Sequence, residues 1–165
     1  MHSKHLININ IDSVIIVKLY IKNNDLFEIE HITINEYKDG CTEVKPSIRY
    51  FDYLYDNFKK FFLRKGFKKD IYKFINLKNC SRFSSTVYKK IMDIPFGETS
   101  TYSEIASGLG GVNYRRAVAR ALSKNPYPLL IPCHRVVGKN SLGGYNGGTK
   151  LKRLLIETEK SSLVN

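Results

Sequence analysis

At 165 residues, with 42% apolar content, the chain has room for one generous domain or two small ones and is too apolar to read as disordered. Its net charge of +12 is large for that length and points to a polyanionic partner, most simply nucleic acid, against the plainer alternative of a solvated basic surface. Three cysteines without CxxC spacing, Cys41, Cys80 and Cys133, fit a reducing compartment rather than a disulfide scaffold. The apolar stretch INIDSVIIVKLYI is too short, and too interrupted by Asp12 and Lys18, to span a bilayer. A soluble, cytoplasmic protein without membrane association is expected.

Residues 6 to 34 read as strands. LININ, VIIVKLYIK and LFEIEHITI are rich in Ile and Val and partly alternate, with Asn23 to Asp25 as a turn, so the pattern predicts an antiparallel meander. SIRYFDYLYDNFKKFFLRKG then places Tyr50, Leu54, Phe58 and Phe61 or Phe62 at helical spacing, with Ser47 as the cap and Gly66 as the stop. DIYKFINL reads as a further strand and the polar Lys78 to Ser81 as a linker, which divides the chain into one domain over 1–78 and a second over 82–165. His2, His5, His31 and Cys41 are residue types that bind zinc, but they lack a standard ligand spacing and no metal site is assigned.

The second half reads as mainly helical. SRFSSTVYKKIMDI carries Phe83, Val87, Ile91 and Ile94 on one stripe, PFGETS makes a turn, and Thr101-x-x-Glu104 is a capping box opening the helix TYSEIASGLG. After GGVN a second short helix, YRRAVARALSK, sets Tyr114, Val118, Ala121 and Leu122 on one side and Arg116, Ala119, Arg120 and Ser123 on the other. Two short helices about a glycine-containing turn, the second basic and rich in alanine, make a helix-turn-helix pattern, although many helix pairs in ordinary cores share it. From Arg82 onward thirteen Lys and Arg stand against five acids, so the charge collects in this half.

NPYPLLIPCHRVVG, Asn125 to Gly138, sets a cysteine beside a histidine. Prolines 126, 128 and 132 forbid a helix and stiffen a shaped loop; adjacent side chains diverge in regular structure, so Cys133 and His134 meet only through a sharp turn or a water. A thiol is nucleophilic as thiolate, which needs a nearby base or cation, and His134, Arg135 and Lys139 are the neighbours that qualify. A third group must orient the imidazole. In the last helix, TKLKRLLIETEK, Leu151 and Leu155 define a buried stripe that Glu159 continues, whereas Glu157 falls on the exposed side. Glu159 is therefore the carboxylate for His134, unless it is a frayed surface acid. Between them GKNSLGGYNGG makes a glycine-rich loop around Tyr145, which either stacks on a flat ring or anchors the loop. Cys41 and Cys80 read as small buried hydrophobes.

NPYPLLIPCHRVVG followed by GGYNGG and LKRLLIETE, and preceded by IPFGETSTYSEIA and RRAVARALSKNP, resembles the O6-alkylguanine-DNA alkyltransferase family from Phe83 to Glu159. The resemblance implies an α+β fold: an N-terminal ribonuclease H-like domain, made of a small antiparallel sheet plus a helix, then a mainly helical, winged-helix-like domain with the helix-turn-helix and the active-site cysteine. It implies direct reversal of DNA damage by a methylated-DNA-protein-cysteine methyltransferase. O6-alkylguanine, mainly O6-methylguanine, is flipped out of the duplex and its alkyl group moves irreversibly to Cys133, once per molecule. By the same resemblance His134 acts as base through a water, Glu159 orients it, Tyr102 donates a proton to the departing guanine, and Asn125 stiffens the loop. Arg116 fills the gap left by the flipped nucleotide, and Ala117, Ala119, Arg120 and Ser123 belong to a recognition helix that enters the minor groove. Pro128, Val136, Tyr145, Asn146 and Gly147 surround the guanine. No cofactor and no metal are implied. The partner is double-stranded DNA containing O6-alkylguanine, met by a monomer, with cooperative binding left open. Two departures from the family pattern are Ala119, where glycine is common, and Asn146, where serine is frequent. The alternatives are a damage sensor that binds alkylated DNA without transfer, against which Cys133 speaks, and a thiol hydrolase using Cys133, His134 and Glu159, which leaves the basic helix without a task.

Overall fold

The computed structural model describes residues 3–11, 15–23, 28–36, 50–63 and 65–164. The chain divides into two compact units, Met1–Asn76 and Leu77–Asn165. The first is built on three strands, β1 (Ser3–Ile11), β2 (Ile15–Asn23) and β3 (Glu28–Glu36), joined as an antiparallel meander. Val17, Leu19 and Ile21 alternate along β2 and are fully buried, as a period of two demands. In β3 the buried residues are Ile29, Ile32 and Ile34, with an odd step at the start. His31 faces Tyr20 and Ile29 faces Ile21, so Glu30 is an extra residue that shifts the phase and lets all three isoleucines point inward. Tyr20 and His31, opposite each other in the ladder, stack with ring centroids 4.0 Å apart.

Helix α1 (Phe51–Lys59) lies against β1 and buries Phe51, Leu54 and Phe58. It ends before the Gly66 stop that its spacing predicts. Phe61 and Phe62 follow the last residue of the helix, Lys59, and both are buried. DIYKFINL is not a strand. Lys69–Phe74 forms a 3-10 helix whose buried residues, Ile71 and Phe74, stand three apart, which is the 3-10 period. Ser47, His2, Cys41, Asn24 and Asp25 lie outside the described residues, as does the side chain of His5.

In the second unit, Ser81 accepts the Ser84 N–H at 3.1 Å and so caps α2 (Arg82–Met92), which buries Val87, Tyr88 and Ile91 and half-buries Phe83. Strand β4 (Ser100–Thr101) runs straight into α3 (Tyr102–Ser107), and both arms of the capping box are made. Thr101 Oγ1 accepts the Glu104 N–H at 3.1 Å, and Glu104 Oε2 accepts the Thr101 N–H at 2.6 Å. A 3-10 turn, Val112–Tyr114, leads into α4 (Arg115–Ser123), which packs Val118, Ala121 and Leu122 against α2 and α3. The Tyr88 hydroxyl donates to the Ala121 carbonyl at 2.9 Å and pins α2 to α4. Tyr114, expected on the buried side, is 46% exposed, because it belongs to the 3-10 turn and not to the wheel of α4; its ring lies against Phe83.

Strand β5 (Val136–Val137) pairs in parallel with β4, Ser100 opposite Val136, which holds the start of α3 beside the chain leaving Cys133 to Arg135. Helix α5 (Gly148–Ser161) packs on that same turn. Among the described residues no helix is long and apolar enough to cross a membrane. The cap at the head of α3 is testable: Thr101→Ala should cost about 1 kcal/mol, read as a lower urea midpoint that Thr101→Ser largely restores.

Candidate active site

Asn125 to Val137 forms one shaped segment. Leu129 is buried at φ 71, the Ile131 N–H donates to the Tyr127 carbonyl at 2.8 Å, and Pro128 bridges to Ile131. Pro132, at φ −79 and ψ 62, makes an inverse γ-turn closed by the Cys133 N–H on the Ile131 carbonyl at 2.7 Å, and delivers the chain into a 3-10 turn over Cys133–Arg135. This is the sharp bend that the prolines anticipate. Asn125 staples it. Its Nδ2 donates to the Ile131 carbonyl at 2.8 Å and to Cys133 Sγ at 3.1 Å, and its Oδ1 accepts the Tyr127 N–H at 2.9 Å.

Behind the cysteine lies a buried carboxylate. Glu159 Oε1 is 2.7 Å from His134 Nε2, and its two oxygens accept Arg135 Nε at 2.9 Å and Nη2 at 3.0 Å, a bidentate pairing. The Gly97 N–H donates to Oε2 at 2.9 Å, and Arg135 Nη1 reaches the Ile94 carbonyl at 2.8 Å. His134 is 0% and Glu159 1% exposed, so the pair is shielded from water. Burial alone would raise the Glu159 pKa, but the hydrogen bonds and charges of His134 and Arg135 outweigh it and hold the carboxyl below its ordinary value. Burial pushes His134 down, against the hydrogen bond and charge of Glu159. At neutral pH the pair is therefore carboxylate and neutral imidazole. Nε2–H donates to the carboxylate, which leaves Nδ1 as a bare acceptor; Nδ1 is buried and meets no hydrogen-bonding partner among the described residues.

The thiol does not have a lowered pKa. Burial raises Cys133, opposed by the Asn125 hydrogen bond, the charge of Lys152 and the peptide N–H groups of Cys133 and His134. It is a thiol at neutral pH and needs a base. Arg135, which the sequence offered as a cation for the sulfur, is committed to Glu159, and Lys139 is exposed. The cation that serves Cys133 is Lys152, which sequence reasoning missed. It is 0% exposed, its Nζ donates to the carbonyls of Val136 at 2.6 Å and Gly144 at 3.2 Å, and burial brings its pKa down to about 8. The signal was available: Lys152, Ile156 and Glu159 stand four and three apart on the buried side of α5. Tyr102, half-buried, lies with its ring under Lys152 Nζ, 5.7 Å from centroid to nitrogen, and burial together with Cys133 raises its pKa. Gly143 sits on that ring at φ +70, where an added Cβ would come within 2.7 Å of it, so only glycine fits.

Comparison with known proteins follows the same residues. A family model described as 6-O-methylguanine DNA methyltransferase, DNA binding domain, matches residues 82–161. A methylated-DNA-protein-cysteine methyltransferase from Saccharolobus solfataricus is 53% identical over 85 residues, 52% of this chain and 54% of that relative. The match thus spans about half the length of the curated relative. An O6-methylguanine DNA methyltransferase structure from Methanococcus jannaschii covers 93% of this chain and 92% of its own, with 31% identity and a TM-score of 0.65. The chain belongs to the O6-methylguanine-DNA methyltransferase family. An OGT from Mycobacterium tuberculosis, solved in complex with DNA, is 30% identical over 89% of this chain and 88% of its own, with a TM-score of 0.65.

Other residues that the family resemblance singled out fall into two groups. On α4, Arg116, Ala119, Arg120 and Ser123 are exposed and Ala117 half-exposed, and the helix carries no acid. Around the cysteine, Val136 is buried with its carbonyl already accepting Lys152, Pro128 and Tyr145 are partly buried, and Gly147 packs so closely on Leu151 that a Cβ would lie 2.5 Å from it. Asn146 and Ser123 are joined by a hydrogen bond. Cys80, expected buried, is partly exposed. The pairing of His134 with Glu159 is testable by nitrogen-15 NMR of the imidazole. We expect a neutral ring with the proton on Nε2 that persists below the ordinary histidine pKa of about 6.5; an imidazolium at neutral pH would contradict it.

Proposed function

We propose that the protein reverses alkylation damage directly, taking O6-alkylguanine, mainly O6-methylguanine, from duplex DNA and moving the alkyl group to Cys133. The observation that carries this reading is the buried Cys133, His134 and Glu159 set, with Asn125 on the sulfur. It is supported by the acid-free basic face of α4 and by relatives named for this activity, one of them solved with DNA. The reading keeps two domains, 1–78 as ribonuclease H-like and 82–165 as winged-helix-like, with a monomer acting on DNA.

The chemistry follows from the protonation states. His134 Nδ1 accepts the thiol proton through a water while Glu159 holds Nε2 and fixes the ring. Sulfur attacks the alkyl carbon, the S–C bond forms as the C–O6 bond breaks, and the electron pair leaves with guanine. Tyr102 supplies guanine with a proton and is reprotonated from solvent, to which His134 returns its own. Lys152 favours the thiolate as it forms. The thioether has no cheap route back, so each molecule acts once. Cys133 is only 8% exposed, and a base inside the stack cannot reach it; flipping costs a few kcal/mol, least for a damaged pair. Arg116, exposed near the start of α4, fills the gap, and Ala117, Ala119, Arg120 and Ser123 meet the backbone and the minor groove.

Intact mass and peptide mapping after incubation with duplex carrying one O6-methylguanine should find one added methyl on Cys133 and restored guanine. Cys133→Ala should bind the duplex without any mass change. Binding by the wild-type protein with no transfer would mean a sensor instead. Arg116→Ala should slow transfer from duplex at least tenfold while sparing transfer from free O6-benzylguanine, since about 1.4 kcal/mol of lost flipped-state stabilisation is a factor of ten; equal losses on both would remove Arg116 from flipping.

A further inference from the structure

The loop that carries Tyr145 is held to the DNA-facing helix by a side chain. Asn146 Nδ2 donates to the Ser123 carbonyl at 2.7 Å, across 23 residues of sequence. Ser123 is the last residue of α4, and its carbonyl is one of the helix-end acceptors left without an intrahelical donor. The Ser123 hydroxyl in turn donates to the Arg120 carbonyl at 2.9 Å, so the bond reaches the turn that bears Arg120. On the other side, the backbone of this loop is fixed to the thiol's surroundings by the Gly144 carbonyl on Lys152 and by Gly143 against the Tyr102 ring. Five glycines, at 138, 143, 144, 147 and 148, leave the segment little stiffness of its own, so its position is set by such ties.

We propose that Asn146 is a positioning residue that locks the substrate loop in register with α4, so that a base delivered from DNA arrives in a pocket whose wall is fixed relative to the helix. This rests on the alkyl-transfer reading above. A free base enters the pocket without reference to α4, and the loop adjusts around it. A base still attached to duplex is placed by α4, and loop and helix must then be in register. Serine, frequent at this position in the resembling family, carries its hydroxyl one bond nearer the backbone than the asparagine amide nitrogen; here the longer amide spans the gap to the helix end. An aspartate of nearly the same shape has no N–H to give and would set an acceptor against the Ser123 carbonyl.

The test compares wild type, Asn146→Ala, Asn146→Asp and Asn146→Gln on two substrates, duplex containing O6-methylguanine at saturating concentration and free O6-benzylguanine, with duplex affinity measured separately in a Cys133→Ala background. One neutral hydrogen bond is worth about threefold to tenfold in rate. We expect Asn146→Ala to lose that factor on saturating duplex over and above its loss on the free base, whose pocket the same loop lines, and to keep its duplex affinity, Asn146→Asp to lose at least as much, and Asn146→Gln to recover part of it. Equal losses on both substrates would overturn the proposal in favour of plain structural damage, and so would an unchanged duplex rate. Wild-type protein that alkylates Cys133 from neither substrate would instead fail the alkyl-transfer reading, and this inference with it.

Discussion

The Glu159 carboxylate is the point on which the second unit turns. It comes from α5, near the end of the chain, and gathers His134 and Arg135 from the Cys133 turn and the Gly97 N–H from the turn after α2. A buried carboxylate is costly to desolvate, and removing one partner of a buried pair typically costs about 3–5 kcal/mol because the other charge is stranded. Here the cost is offset by four N–H donors, two of them from the bidentate guanidinium of Arg135. The same contacts settle the chemistry. Burial keeps the His134 ring neutral against the hydrogen bond and charge of Glu159, and the positive charges of Arg135 and Lys152 work in the same direction as burial. A base at neutral pH is thus a by-product of how α5 is attached.

The thiol follows an opposite logic. A sulfur exposed and fully ionised would react with any passing electrophile or oxidant. Cys133 is buried, its pKa lies above the ordinary value, and the groups that favour the thiolate, Asn125 and Lys152, are both held by backbone carbonyls as well as by the sulfur's neighbourhood. The balance keeps the resting state a thiol while leaving a prepared environment for the anion once its proton is removed. Lys152 carries a second constraint. With its pKa brought down to about 8, it is still mostly charged at neutral pH and loses its charge on mild alkalinisation, and the carbonyls of Val136 and Gly144 that hold it belong to the strand after the cysteine and to the glycine loop. Loop position and thiolate stability are therefore coupled through one ammonium group.

Legibility in the sequence tracked how local each determinant is. The meander, the Thr101 and Glu104 capping box and the proline-framed turn are written in adjacent residues, and all are present as read. Glu159 was legible because the stripe of Leu151 and Leu155, four residues apart, continues to an acid at a buried position, where only a partner makes it tolerable. What was lost depends on contacts distant in sequence. Arg135 sits beside Cys133 along the chain but points to Glu159; Lys152 looks like one of many surface lysines until Val136 and Gly144 close on it. The helix through Phe61 and Phe62 and the strand at DIYKFINL failed for a related reason: both aromatics enter the core after the helix has ended, and a period of three can pass for extended chain over a short segment.

Charge is partitioned between interior and surface, and this separates two kinds of work. The buried pair of Glu159 and Arg135 is nearly neutral and ties α5 to the Cys133 turn beside the apolar contacts of Leu151, Leu155 and Ile156. Arg116 and Arg120 are exposed and so stabilise the fold little; their positive potential is available to a polyanion at no cost to the core. Changes on the outer face of α4 should therefore alter association without moving the unfolding transition, whereas changes behind Cys133 alter both. Asn146 stands between the two sets. Its amide is exposed, so its bond to Ser123 adds little to stability, yet it joins the loop over the thiol to the helix that carries the surface charge. A tie of that kind has value only if the two ends must be in register at the same moment.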